Sequence, residues 1–142
     1  MIEEIKDYFK STVSLIDSDL SYDGLVFKNE LTADHNLDYT YKMVLGTWDI
    51  IRPDTDIKAT IPVDIIIYKV SNIDKIEDDF SSTYCKAIDI TSLAMNQTRI
   101  SQNGYIKGVV ATDILPESIL NNDNTLQFTL KFIVELAYKY KL

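Results

Sequence analysis

The sequence predicts a single α+β domain with a mostly antiparallel sheet and helices on one face. The length of 142 residues lies in the usual range of one domain. Two segments, 1–20 and 72–97, carry apolar residues three or four positions apart, which is the pattern of a half-buried helix. Several other segments are rich in β-branched and aromatic residues, and the last of them alternates strictly. The predicted order is α-β-β-β-α-β-β, in one domain over 1–142.

The first elements follow from local patterns. Segment 1–20 has an apolar stripe with acids near its start, where they favour the positive end of a helix. The stripe consists of Ile2, Ile5, Phe9, Val13, Ile16 and Leu20. Ser21 to Gly24 has turn chemistry, and Leu25 to Phe27 is a short predicted strand. Residues 29–38 are polar and irregular, and 39–48 predicts a strand with some apolar character on both faces.

The middle of the chain alternates between turn signals and apolar runs. Residues 49–61 contain Pro53 and several acids, and they predict either a loop or a two-stranded extension with a mobile tip. The β-branched run 62–70 predicts a central strand covered on both faces. Asn72 is the expected cap of the second helix. A turn at Asn103 and Gly104 leads to a strand over 105–114, and 115–124 is a predicted loop.

The final segment gives the clearest pattern. Every even position from Leu126 to Tyr140 is large and apolar or aromatic, and most odd positions are polar. This alternation predicts one strand of sixteen residues, 125–140, with a single buried face. Such a strand spans about 53 Å, whereas a compact domain of this size has a diameter of roughly 37 Å. The strand must therefore bend or overhang, and an overhang requires a partner to cover it.

Composition excludes several classes of protein. With 14 Lys and Arg against 22 Asp and Glu, the net charge is −8, which argues against nucleic-acid binding by phosphate neutralisation. A single cysteine excludes an internal disulfide framework and a zinc site built on several thiolates. The start MIEEIKDYFK does not have the pattern of a signal peptide, and no run approaches the ~18 apolar residues of a membrane span. The expectation is a soluble protein of a reducing compartment, without membrane association.

One stretch has the spacing of a calcium-binding loop. Counting from Asp19, the residues Ser21, Asp23, Gly24 and Glu30 fall at positions three, five, six and twelve of an EF-hand loop. The opposing interpretation is a helix end, an Asp-Gly turn and a short strand. This interpretation is favoured because Tyr22 and Phe27 occupy interior positions of the loop and because the sequence has no second EF-hand to pair with the first.

Other chemical signals are weak. His35, the only histidine, is interpreted as a solvated loop residue, and Cys85 as a packed or half-buried thiol on a helix. Acid pairs such as Asp17 with Asp19 are interpreted as solvated faces. The sequence has no Ser-His-Asp elbow, phosphate loop or dinucleotide fingerprint. We therefore expect no catalysis, no cofactor and no metal, with the calcium loop as the alternative.

The element order, the length and the long last strand resemble the tail-terminator, or tail-completion, family of tailed bacteriophages. The resemblance covers most of the chain and concerns order and length, because that family has no short motif. It implies a structural virion protein that forms a homo-oligomeric ring, commonly a hexamer, at the head–tail junction. Its partners would be copies of itself, the tail tube and the neck or connector proteins. DNA would only pass through the lumen, and assembly would take place in the cytoplasm of the host bacterium.

The resemblance also implies that an extended arm or loop packs on the neighbouring subunit. The candidate is the segment 49–61, and the long last strand is the second candidate surface. The interface residues expected on this basis are Arg52, Asp54, Asp56, Lys58, Tyr138 and Tyr140. An acidic lumen would repel DNA and let it slide.

Three alternative functions stay open. The first is another head–tail connector or ring protein of a phage. The second is a small acidic binding or immunity protein, which should stay monomeric and bind a basic enzyme with strong salt dependence. The third is a monomeric calcium-binding domain, which should lose its ion on Glu30→Gln.

Overall fold

The computed structural model describes residues 2–27, 39–53, 56–96, 98, 100, 104–119 and 125–139. Within them, the chain forms two helices and six strands. The helices are α1 (Ile2–Ile16) and α2 (Ile76–Ala94). The strands are β1 (Ser21–Phe27), β2 (Tyr39–Leu45), β3 (Asp49–Pro53), β4 (Asp56–Val70), β5 (Ile106–Ile119) and β6 (Thr125–Lys139). Neither helix has the length and apolar character needed to cross a membrane, as far as the described residues go.

The strands form one sheet in the order β1-β2-β4-β6-β5, and β3 pairs with β4 as well. Every pairing is antiparallel except β1 with β2, which is parallel. The predicted fold class and element order are confirmed. Segment 49–61 takes the second of its two predicted forms, because β3 and the start of β4 make a two-stranded extension.

The two longest strands, β4 and β6, are partners along their whole length. Their register runs from Asp56 opposite Lys139 to Val70 opposite Thr125. Each strand has 15 residues, which corresponds to about 50 Å. The predicted last strand is therefore present to Lys139, and Tyr140 lies outside the described residues. Because β4 starts six residues before the predicted position 62, it covers the length of β6 that the sequence left without a partner.

Both helices pack on the same face of the sheet. Phe9 of α1 contacts Phe132 with 5.1 Å between ring centroids, and Phe80 of α2 contacts Phe128 at 5.2 Å. The even-numbered residues of β6 from Leu126 to Leu136 are all buried in this core. The apolar residues that alternate along β6 therefore mark the face that the helices cover, because successive side chains of a strand point to opposite faces of the sheet.

The opposite side of the sheet, called here the outer face, carries a second and smaller apolar cluster. Val44, Ile66 and Tyr68 are each only 4% exposed there, with Val26 packed beside them. Ile65 and Ile67 of the same strand are buried on the helix side. The prediction that 62–70 is covered on both faces is confirmed.

Several boundaries differ from the sequence predictions. Asn72 does not cap α2, because the helix begins one turn later with Lys75 at the cap position. Its side-chain oxygen instead accepts hydrogen bonds from the backbone amides of Asp74 and Lys75, both at 3.1 Å, which forms a turn before the helix. The predicted strand 105–114 continues to Ile119. Pro116 is tolerated there because β5 has a partner on one side only among the described strands.

The predicted turn at 21–24 is part of β1. Gly24 has a φ of 122°, a conformation that favours glycine, and the register with β2 shifts between Tyr22 and Leu25. The Asp-Gly pair therefore forms a bulge within a strand. The predicted strand 39–48 ends at Leu45, since the chain leaves regular pairing at Gly46.

Candidate subunit interface

The sheet extends at one end into a three-stranded arm, defined by residues 49–53, 56–60 and 135–139. β2 pairs with β4 only as far as Val63, and β3 takes over the same edge of β4 from Thr60 onward. On the other side of β6, pairing with β5 reaches Leu136, so β5 still lies beside Glu135 and Leu136 at the base of the arm. Beyond these positions, β4 and β6 continue with β3 as the third strand.

The junction between body and arm depends on a glycine and a proline. The amide of Gly46 donates a hydrogen bond of 2.9 Å to the carbonyl of Pro62. A Cβ at Gly46 would lie 2.9 Å from Cγ of Pro62, closer than side chains normally approach. Pro62 has no amide hydrogen, so it occupies the point of β4 where the partner strand is interrupted.

The base of the arm is attached to the first helix through one carboxylate. Glu4 accepts hydrogen bonds from the backbone amides of Tyr105, at 2.8 Å, and Ile106, at 3.2 Å. The carbonyl of Tyr105 in turn accepts a 2.9 Å bond from the amide of Ala137 in β6. The first turn of α1, the start of β5 and the arm are thereby linked in one chain of bonds.

The arm exposes both apolar and charged side chains. Ile50 is 61% exposed on β3. A shallow groove of about 330 Å³ lies beside the arm, and Lys58, Lys107 and Glu135 line it. Lys107 Nζ donates to the carbonyl of Gly104 at 2.8 Å. The arm contains three acidic and three basic residues, so the whole net charge of −8 belongs to the rest of the chain.

Four of the six interface residues expected from the sequence fall in this arm. In backbone register, Arg52 lies opposite Lys58, Asp56 opposite Lys139, and Tyr138 opposite Ile57. Asp54 and Tyr140 lie outside the described residues. Whether these residues contact a neighbouring subunit stays a prediction.

Sequence reasoning missed Ile50, Lys107 and Glu135. Ile50 belongs to segment 49–61, which the sequence predicts as either a loop or a two-stranded extension. Because these two forms place its side chain differently, the sequence did not predict whether Ile50 is exposed. Lys107 and Glu135 are 28 positions apart and meet at the groove only through the pairing of β5 with β6. No local pattern carries that information.

The calcium hypothesis gains no support from the described part of its loop. Ser21 and Asp23 lie in strand β1, whereas ion binding requires them in a wrapping loop. Asp23 Oδ2 is 3.8 Å from Lys42 Nζ, which engages its carboxylate. Asp19 is exposed, and Glu30 lies outside the described residues. Over the described ranges, no three His, Cys, Asp or Glu side chains converge as metal ligands.

Cys85, His35 and Asp17 are the remaining residues that the sequence suggested as chemical candidates. Cys85 is exposed on α2, so the prediction of a packed or half-buried thiol is wrong. His35 lies outside the described residues. Asp17, expected to be solvated, accepts a 2.7 Å hydrogen bond from Tyr39 Oη and a 3.0 Å bond from the amide of Asp19. It thereby joins the end of α1 to β2.

Burial changes the acidity of two tyrosines near that joint. Burial, followed by the hydrogen bond to Asp17, raises the pKa of Tyr39 above its usual value. Burial raises the pKa of Tyr41 to about 12. Both phenols are neutral over the physiological range, so they contribute packing and hydrogen bonding rather than charge.

Comparison with known proteins shows likeness in fold but not in sequence. No protein-family model matches the sequence, and none of the curated proteins is similar to it in sequence. A solved structure titled "Virion of native gene transfer agent (GTA) particle" contains a chain with a similar fold. The two are 13% identical with a TM-score of 0.55, and the match covers 89% of this chain and 84% of that chain. At this identity the likeness concerns the fold.

Proposed function

We propose that this chain is a structural subunit of a phage-like virion and acts as a tail terminator, a ring subunit at the head–tail junction. The observation that carries the proposal is the fold likeness to a chain of a gene transfer agent virion over 89% of this protein. The proposed role is assembly without catalysis, in a particle built inside a bacterial host. The proposed partners are further copies of the chain, a tail tube and a neck protein.

The arm supports a ring because it gives the subunit a protrusion that differs from the rest of its surface. Rings are built from contacts between two different surfaces of neighbouring subunits. Ile50, 61% exposed, is an apolar group that such a contact would cover. Because its three acidic and three basic residues balance, the arm can also approach a neighbour with a net charge of −8 without long-range repulsion.

The first test is the assembly state of the full chain, by native mass spectrometry and negative-stain microscopy at low ionic strength. We expect closed rings, and we expect Ile50→Asp and Arg52→Glu to abolish or weaken them. Leu15→Asp is the matched control for Ile50→Asp, because Leu15 is 67% exposed on α1, away from the arm. If rings form equally well in both arm variants, the arm is not part of the subunit interface.

A second test separates a tail terminator from another ring protein of the neck. The purified chain would be mixed with tail tubes and, separately, with DNA-filled heads from the same particle, and then sedimented. A tail terminator should co-sediment with tubes and stop their growth. Binding to heads alone would favour a connector. Binding to neither, together with a monomer in the first test, would refute the proposed function.

A further inference from the structure

The groove beside the arm carries two lysines around an otherwise mostly small lining. Lys58 and Lys107 are exposed and line it, together with one exposed acid, Glu135. Thr60 and Ala137 add only small side chains, so the groove of about 330 Å³ is open between the two lysines. A groove of this kind can take one apolar side chain, with carboxylates bound to the ammonium groups beside it.

A turn after β4 has the matching features. Ile73 is 82% exposed, which is the highest value for a large apolar residue in the described part of the chain. Because the side chain of Asn72 accepts two amide hydrogen bonds within the turn, Ile73 is held in a fixed, exposed position. Residues 72–78 are named here the acidic turn. Its exposed charged residues are Asp74, Lys75, Glu77 and Asp78.

The groove and the acidic turn cannot meet within one subunit. Strand β4 runs from Lys58, at the groove, to Val70, just before the turn. This length corresponds to about 40 Å of extended chain. The groove opens on the outer face, because Thr60 pairs with Glu135, an odd-numbered residue of β6, whereas the turn leads into α2 of the helical layer. A contact between them therefore joins two copies through two different surfaces, as a ring requires.

We propose that the groove of one subunit receives the acidic turn of the next, with Ile73 between the two lysines and the carboxylates of the turn on their ammonium groups. The contact rests on the proposed function, because it joins neighbouring subunits of the ring. Charge complementarity is the reason why the occupant is a second copy. The groove carries two bases and one acid, whereas the turn carries three acids and one base.

The apolar and charged parts of this contact have different roles. Ile73 loses exposed apolar area when it enters the groove, which favours association. Exposed ion pairs each contribute little to affinity. Like charges that face each other are unfavourable, however, so the charges decide which two surfaces meet. Reversal of the charges on one surface should therefore block the contact, and reversal on both should restore it.

The test is a mixing experiment with two variants, measured by native mass spectrometry and sedimentation velocity over a range of concentrations. The groove variant carries Lys58→Glu and Lys107→Glu, and the turn variant carries Asp74→Lys and Glu77→Lys. Each variant alone should need at least about tenfold more protein than the parent for half-maximal assembly, because like charges face each other. An equal mixture should assemble within about threefold of the parent concentration, because every contact in an alternating ring again joins opposite charges.

Two controls make the same changes in net charge elsewhere. Lys10→Glu with Lys86→Glu matches the groove variant, and Asp7→Lys with Asp89→Lys matches the turn variant. These four positions lie on α1 and α2, outside the groove and the acidic turn. Both controls should assemble as the parent does.

A third comparison tests the apolar part of the contact. Ile73→Ser should weaken assembly, because it removes the side chain that enters the groove. Ile88→Ser is the matched control, since Ile88 is 43% exposed in the middle of α2. Equal assembly of these two variants would show that Ile73 is not part of the contact and would overturn the inference.

The outcomes separate this inference from the proposed function. Rings that form equally well in the groove and turn variants, a mixture that assembles no better than its components, or controls that weaken assembly equally would overturn only the inference. A groove variant that fails while the turn variant assembles normally would also overturn it, because another acidic surface then fills the groove. Recovery on mixing into open chains that never close would support the contact and refute the proposed ring. A parent that stays monomeric at every concentration would overturn the inference, while sedimentation with tail tubes and heads decides the proposed function.

Discussion

Replacing Glu4 by alanine should loosen the base of the arm. The carboxylate accepts two backbone hydrogen bonds, from Tyr105 at 2.8 Å and from Ile106 at 3.2 Å. Hydrogen bonds to a charged group contribute about 1.5–3 kcal/mol each, and partial exposure of Glu4 roughly halves that value. We expect a loss of about 2 kcal/mol of unfolding free energy. With a denaturation slope of about 2 kcal/mol/M, the urea midpoint should fall by about 1 M.

Urea denaturation followed by circular dichroism measures this change, with Glu3→Ala as the matched control. Glu3 lies in the same helical turn, and its pair with Lys6 is exposed, so its removal should cost little. Glu4→Gln keeps one acceptor oxygen and should fall between the two. Gly104→Ala should act through the same bonds, because its Cβ would displace the Glu4 carboxylate. Equal midpoints for Glu3→Ala and Glu4→Ala would refute the reasoning.

Three further predictions concern stability. The pKa of Tyr41 is about 12 in the folded protein and about 10 when unfolded, so the unfolded state loses its proton first as the pH rises. The free energy of unfolding should therefore fall between pH 10 and 12 by up to about 1.4 kcal/mol per pH unit. Urea melts across this pH range would check it, because Tyr41→Phe has no phenol to titrate and should lack this fall. Phe132→Ala removes a fully buried ring and should cost about 3–5 kcal/mol in urea melts. Gly46→Ala should cost about 1–3 kcal/mol through its clash with Pro62, and Pro62→Ala should recover part of this loss in a double-mutant cycle.

Much of the fold could be predicted because the relevant information is local. The alternation of β6 and the three-to-four spacing of α1 report a buried side directly, and both elements lie where predicted to within a few residues. Boundaries were less predictable. Pro116 and the Asp-Gly pair are turn signals in isolation, yet they occur inside an edge strand and a bulge, where pairing with a neighbour outweighs local preference.

The candidate interface was predictable only in outline. Segment 49–61 was identified as a possible extension, and Arg52 and Lys58 do lie in it. The groove residues Lys107 and Glu135 could not be identified, because their proximity arises from pairing between distant strands. The same holds for the hydrogen bond that the amide of Tyr105 donates to the carboxylate of Glu4, which joins positions 101 residues apart.

The sequence by itself determined the class of the fold, the buried faces of α1 and β6, and the overlength of the last strand. These properties follow from side-chain periodicity, which requires no knowledge of partners. Only the tertiary structure decided what covers that strand. Because Gly46 and Pro62 interrupt one edge of β4 without ending it, β3 and β4 continue beside β6 and form the arm. The choice of partner depends on contacts between distant segments, and such contacts leave no periodic trace in the sequence.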